Sequence, residues 1–128
     1  AYWRFSGRWM QQIITALGQR VPVTVFGRGV HQNWEQLIQT GANALSIDWN
    51  IDLPTLSKQL PSTLALQGNL DPALLTASPS VAIEQTQRLL DGMRDRNGFI
   101  FNLGHGVPPN AYIETIAAIA QTVQTYHG

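Results

Sequence analysis

Four short apolar stretches alternate with amphipathic stretches along nearly the whole chain, and this alternation limits the fold more than any other feature. The strand-like stretches are VPVTVFG (21–27), ALSIDW (44–49), TLALQGN (63–69) and FIFNLG (99–104). Each is short and nearly continuous in apolar residues, which is typical of strands in a parallel sheet that helices cover. The alternation therefore predicts the α/β class.

Helical periodicity fills the intervals between these strands. From about Tyr2 to Leu17, apolar residues recur every four positions, with further apolar residues beside them, which predicts a helix with one broad apolar face. Its residues Trp3, Phe5 and Trp9 are expected to pack against other elements. Gly18 and Pro22 are expected to end this helix. Further helices are predicted from Asn33, as N-cap, to Thr40, with Gly41 as the stop, and from Pro54 to about Leu60. Two more are predicted from Ser78-Pro79 to before Asn97-Gly98 and across 113–123.

The predicted order is one helix followed by four βα units. Both an open doubly wound sheet and a slice of a β/α barrel are compatible with that order. The 128 residues fit a single domain, 1–128, whereas a complete eight-stranded barrel takes about 250 residues. The chain opens with Ala-Tyr-Trp-Arg-Phe, an unusually aromatic terminus, and we expect it to have been cut from something longer.

Composition excludes several classes of function. Eight basic and eight acidic residues cancel, so the sequence carries no charge pattern for nucleic acid or an anionic membrane surface. No apolar run approaches the roughly 18 residues of a membrane span. The sequence has no cysteine, which excludes disulfides, thiolate nucleophiles and cysteine zinc sites. Because His31, His105 and His127 also lack metal-ligand spacing, no metal site is predicted.

Candidate binding residues follow the predicted strands, whose carboxyl ends meet at one edge of a parallel sheet. Such residues are expected to face one acidic ligand, and an arginine among them suits a carboxylate. The histidine of FNLGHGV is either a binding group or an ordinary loop residue, and spacing alone does not decide. The candidates are Arg28, Asp48, Gln67, Asn69, Asn102, Gly104, His105 and Gly106.

Structural alternatives exist for three charged residues at or just beyond the predicted strand ends. Asp48 is equally suited to capping the next turn or pairing with a neighbouring cation. Asp71 precedes Pro72 and is better explained as the cap of a short helix. Arg28 is also compatible with a solvated charge, because Gly27-Arg28-Gly29 is too short for a phosphate-binding loop.

Three motifs, GANALSIDW, LALQGNLDPALL and FNLGHG, resemble in this order the C-terminal half of the uroporphyrinogen decarboxylase family, and the similarity covers nearly the whole chain. The resemblance implies the C-terminal half of a (β/α)8 TIM barrel, with an N-terminal helix and four βα units. It also implies a cytoplasmic enzyme, or a stromal one in a plant plastid. That enzyme removes the four acetate carboxylates of uroporphyrinogen III, giving coproporphyrinogen III, without a metal or organic cofactor and as a homodimer.

The resemblance assigns roles to individual residues. His105 matches the family's substrate-binding histidine, and Asn102, Gly104 and Gly106 belong to the same motif. Asp48 and the LQGNLDP stretch (66–72) take supporting roles in the cleft. The family's essential aspartate and its arginine-containing loop both precede the matched region, so the chain alone is expected to be inactive and to need the missing N-terminal half of the barrel.

Two other functions remain open at this point. One is a non-catalytic half-barrel that acts as a binding or assembly module, with the aromatic N-terminal helix at an interface. The other is a related cobalamin-dependent methyltransferase of the same superfamily, although those proteins use a zinc site with cysteine ligands and this chain has no cysteine.

Overall fold

Four parallel strands form one sheet in the computed structural model, which describes residues 1–18, 20–30 and 33–128. The strands are β1 (Thr24–Phe26), β2 (Ala44–Ser46), β3 (Ala65–Leu70) and β4 (Phe99–Leu103). The helices are α1 (Arg8–Leu17), α2 (Trp34–Gln39), α3 (Leu53–Ser57), α4 (Pro79–Met93) and α5 (Ile113–Gln124). A π-helical turn, Trp3–Gly7, leads into α1, and a 3-10 helix, Pro72–Thr76, follows β3.

The order of the strands in the sheet is β1-β2-β3-β4, and every neighbouring pair is parallel. Crossovers between parallel strands are right-handed, so a sheet that always grows in one direction carries all its helices on one face. A doubly wound sheet instead reverses direction and has helices on both faces. The observed order therefore matches one half of a (β/α)8 barrel and confirms the barrel prediction.

The two faces of the sheet differ sharply in chemistry. One cross-strand row consists of Val25, Leu45, Leu66 and Phe99, and it belongs to the apolar core beneath the helices. The next row, on the opposite face, consists of Phe26, Ser46, Gln67 and Ile100. Phe26 and Ile100 are almost half exposed. This second face, called here the open face, corresponds to the interior of a closed barrel.

The amino-terminal side of the sheet is held by one arginine. Arg96, in the turn before β4, donates from Nη1 to the carbonyls of Ser57 and Leu60, at 2.6 and 3.1 Å, and from Nη2 to those of Pro61 and Leu64, at 2.5 and 2.7 Å. These four carbonyls belong to the connection from α3 to β3. Arg96 thus fixes the connection between β2 and β3, whose helix α3 is much shorter than the helix α4 between β3 and β4.

The observed helix ends agree with most of the predicted helix boundaries. Gly18 and Gly41 follow α1 and α2 with φ of 54° and 81°, the left-handed region that favours glycine. Asp71 caps the 3-10 helix, since its Oδ1 accepts a hydrogen bond from the Ala73 amide at 2.9 Å. The Asn33 prediction was wrong in one respect, because the side chain makes no capping hydrogen bond to α2.

The N-terminal helix is confirmed, but the prediction that Phe5 and Trp9 are packed was wrong. Phe5 is 72% exposed and Trp9 49%, and Ile13 and Leu17 continue the same exposed stripe. Tyr2, Met10 and Ile14 make the contacts with the core instead. All four predicted strands exist, although each is shorter than predicted or shifted by a residue or two. Within the described ranges, no helix is long and apolar enough to cross a bilayer.

Candidate functional site

Asp48 joins two loops at the carboxyl end of the sheet. The residue is only 2% exposed. Its Oδ2 accepts a hydrogen bond from the Gly29 amide at 2.7 Å, and its Oδ1 accepts one from the Asn50 amide at 2.9 Å. The first contact ties the loop after β1 to the loop after β2, and the second caps the turn that follows. The turn cap, one of the structural alternatives for Asp48, is therefore present.

Gly104 brings the loop after β4 against the loop after β2. A Cβ atom on Gly104 would lie 2.4 Å from the Trp49 nitrogen and 2.8 Å from the Trp49 Cβ, so only glycine allows this approach. The Gly104 amide also donates to the Leu70 carbonyl at 2.8 Å, which extends the hydrogen bonding beyond β4. The second glycine of the motif differs, because a Cβ on Gly106 would meet nothing within 4 Å.

The approach at Gly104 places His105 between two aromatic rings. The imidazole lies edge-to-face with the Trp49 indole at 5.7 Å and with the Phe26 ring at 6.1 Å between ring centroids. His105 is exposed, and no hydrogen bond joins its ring to another residue that the structure describes. Its ring nitrogens are therefore available to a ligand, while the ring itself is held by its neighbours.

Arg28 contacts the same indole. Its guanidinium carbon lies 5.1 Å from the centroid of the Trp49 ring, within the range of a cation–π contact. Arg28 is exposed, and no carboxylate within the described part of the chain pairs with it. The loops after β1, β2 and β4 therefore bring Arg28, Trp49 and His105 together.

Two depressions adjoin His105. One, of about 400 Å³, lies on the open face, and the other, of about 480 Å³, lies among the loops beyond the strand ends. The first is lined by the side chains of Thr24, Phe26, Ser46, Gln67, Asn102 and His105, with the glycines of the same loop. The second includes Trp49, Asp71, Pro72 and Asn110. A ligand that contacts His105 can thus reach both the sheet face and the loops.

The remaining predicted site residues have distinct positions. Asn69 is buried, and its amide donates to the Asp48 and Ile51 carbonyls at 2.9 and 2.6 Å, so it supports the loop after β2. Gln67 donates to the Ser46 hydroxyl at 3.1 Å on the open face. Asn102 is exposed beside the same depression, and its Oδ1 accepts from the Leu103 amide at 2.8 Å.

The candidate residues chosen from the sequence left out Trp49 and Phe26. Trp49 stands beside Asp48 at a predicted strand end, and that position is the signal that marks it. The signal for Phe26 was its alternation with Val25, which places the two residues on opposite faces.

Metal chemistry has no ligand set in the part of the chain described here. No group of three or more histidine and carboxylate side chains is placed to hold an ion among the described residues. His127 lies exposed near the last residue, and His31 is outside the described residues. The expectation that no cofactor is needed stays a prediction.

Comparison with known proteins identifies the family. The family model described as uroporphyrinogen decarboxylase (URO-D) matches residues 1–126. The uroporphyrinogen decarboxylases of Alcanivorax borkumensis and Shewanella loihica are each 38% identical to the chain, with 94% and 96% of it covered. The one from Erwinia tasmaniensis is also 38% identical, over 98% of the chain. The chain spans 36–38% of the length of these curated relatives. It belongs to the uroporphyrinogen decarboxylase family.

Proposed function

We propose that this chain supplies the His105 side of the substrate cleft of a uroporphyrinogen decarboxylase. The proposed reaction removes the four acetate carboxylates of uroporphyrinogen III and leaves methyl groups in coproporphyrinogen III. The observation that carries the proposal is the presentation of His105, which is exposed and held between Trp49 and Phe26 at the carboxyl end of the sheet. Binding groups of β/α barrels lie at that end.

In this proposal the imidazole of His105 donates a hydrogen bond to a carboxylate of the tetrapyrrole. Asp48 and Gly104 hold the surrounding loops, and neither is assigned a role in the chemistry. Loss of carbon dioxide from a pyrrole acetate also requires protonation of the ring and stabilisation of the charge that develops on it. We assign that part to the family's essential aspartate, which the resemblance places before the matched region.

Titration with uroporphyrin I, a stable oxidised porphyrin with acetate and propionate on every ring, tests the role of His105. Porphyrin fluorescence gives the dissociation constant for the chain and for His105→Ala. Because a hydrogen bond to a charged group contributes about 1.5–3 kcal/mol, we expect the affinity to fall at least about tenfold. His127→Ala is the matched control. Equal porphyrin affinities for the two variants would show that His105 is an ordinary loop residue.

We propose that the N-terminal half of the barrel completes the cleft. The strands β1 and β4 lie at the two edges of the sheet, and unpaired edges favour pairing with further strands. The exposed stripe of Phe5, Trp9, Ile13 and Leu17 is one apolar surface that remains to be covered. A second is an apolar depression of about 340 Å³ between β4 and α5.

Complementation tests this arrangement. The chain is mixed with the part of the Alcanivorax borkumensis enzyme that its match does not cover, and coproporphyrin formation from uroporphyrinogen is measured. We expect no activity from either piece alone and measurable activity from the mixture. Decarboxylation by the chain alone would contradict the assignment of the chemistry to the absent half.

A second candidate function is a non-catalytic half-barrel that assembles through its apolar surfaces, and the exposed stripe of Phe5, Trp9, Ile13 and Leu17 favours it. We also propose, from the family resemblance, that the complete enzyme is a cytoplasmic homodimer. Light scattering after size-exclusion chromatography tests self-association of the chain. A stable monomer at micromolar concentration would argue against an assembly module, and complementation without self-association would favour the enzyme.

A further inference from the structure

We propose that Arg28 and His105 together bind two neighbouring carboxylates of one ligand, and that Trp49 is the residue that positions both. The inference rests on the proposed function for the identity of the ligand. It assigns a binding role to Arg28 and a positioning role to Trp49.

The geometry centres on one indole ring. The Arg28 guanidinium carbon lies 5.1 Å from the Trp49 ring and the His105 imidazole 5.7 Å from it. A guanidinium that rests on an aromatic ring uses its face for that contact and keeps its N–H donors in its own plane for a carboxylate. Both groups are exposed, so the indole restricts their positions without occupying their donors.

The three loops are fixed before any ligand binds. The Asp48 carboxylate ties the Gly29 amide, next to Arg28, to the base of the loop that carries Trp49. Gly104 packs directly against the Trp49 backbone and so fixes the residue before His105. A site whose donors are already oriented loses less conformational freedom on binding, which raises its affinity.

Two donor groups beside one indole suit two acidic arms on adjacent carbons of a ring. Each pyrrole of uroporphyrinogen carries an acetate next to a propionate, whereas each pyrrole of the product carries a methyl group next to a propionate. A site that uses both carboxylates therefore favours the substrate over the product. Removal of one donor removes that preference more than it removes binding itself.

The experiment compares uroporphyrin I with coproporphyrin I by fluorescence titration of the whole chain. We expect the chain to bind uroporphyrin more tightly. Arg28→Gln should weaken uroporphyrin binding about tenfold and coproporphyrin binding by less than about threefold, so the preference between them falls. Trp49→Leu should lower the same preference, and Trp49→Phe, which keeps an aromatic ring, should restore most of it.

A double-mutant cycle separates positioning from simple support of the fold. If Trp49 acts through Arg28, the uroporphyrin preference of Trp49→Leu combined with Arg28→Gln equals that of the more damaging single variant. The matched control is another arginine–tryptophan pair outside both depressions, Arg8 and Trp9 on α1, whose guanidinium lies 4.3 Å from the ring. Arg8→Gln and Trp9→Leu should leave the preference unchanged.

The outcomes distinguish this inference from the function on which it rests. An unchanged preference in Arg28→Gln, or additive effects in the cycle, overturns the inference and leaves the proposed function standing. Failure of the unmodified chain to bind either porphyrin, both alone and after mixing with the complementing part of the Alcanivorax borkumensis enzyme, overturns both. Thermal unfolding of each variant checks folding, and Arg28→Gln decides the matter if Trp49→Leu does not fold, because the Arg28 side chain is exposed.

Discussion

Gly104→Ala and Gly106→Ala change two glycines of the same motif and are expected to have opposite consequences. The methyl group that Gly104→Ala adds would lie 2.4 Å from the Trp49 nitrogen, about 1 Å closer than an ordinary van der Waals contact. The loop cannot retreat freely, because the Gly104 amide donates to the Leu70 carbonyl at 2.8 Å. Overpacking costs about 1–3 kcal/mol and a weakened hydrogen bond about 1 kcal/mol, so we expect a loss of about 3 kcal/mol.

Urea denaturation measures this difference directly. With a slope of about 2 kcal/mol per molar urea, the midpoint of Gly104→Ala should fall by about 1.5 M. Gly106→Ala adds a methyl group in open space, and neither glycine has a positive φ, so its midpoint should stay within about 0.3 M of the unmodified chain. Equal midpoints for the two variants would refute the close approach of the His105 loop to Trp49.

Three further predictions concern packing and titration elsewhere in the fold. Arg96→Met removes the donor to four carbonyls and should lower the free energy of unfolding, measured in urea, by about 3 kcal/mol. The control Arg88→Met, on the exposed side of α4, should change that free energy by less than about 0.5 kcal/mol. Asn69→Asp replaces a buried amide donor with a carboxylate facing two carbonyls, and differential scanning calorimetry should show a fall of several degrees in Tm. The hydrogen bond to Asp91 raises the pKa of Tyr126. Asp91→Asn should therefore lower that pKa in an ultraviolet absorbance titration. The stabilisation from this pair is present at neutral pH and disappears as the pH rises through the raised pKa.

Local sequence patterns were sufficient for the existence, type and order of the elements. Gly18 and Gly41 ended helices as predicted, because the left-handed turn after a helix has few other occupants. The pattern was not sufficient for the environment of α1. A stripe with four-residue spacing indicates that a helix face is apolar, but it does not say whether the covering partner belongs to the same stretch of chain. Phe5 and Trp9 belong to such an apolar face and are nevertheless exposed.

The site was predictable in outline because carboxyl ends of parallel strands converge. Arg28 and His105, 77 positions apart in the printed sequence, do lie against a common ring. Trp49, which carries that ring, was not among the predicted site residues, because the sequence around Asp48-Trp49 does not show which side chains will contact the indole. Asn69 shows the converse, since its two carbonyl acceptors come from another connection and become visible only once β2 and β3 are paired.

The strand order β1-β2-β3-β4 has a consequence for how such a chain folds. No strand has to insert between two that are already paired, so each βα unit adds to an edge that its predecessor has just provided. Loop closure for each addition spans a single connection, which keeps its entropic cost low. During synthesis the sheet can therefore grow in the order in which the strands leave the ribosome. Adding or removing one βα unit at an edge leaves the pairing of the other strands unchanged.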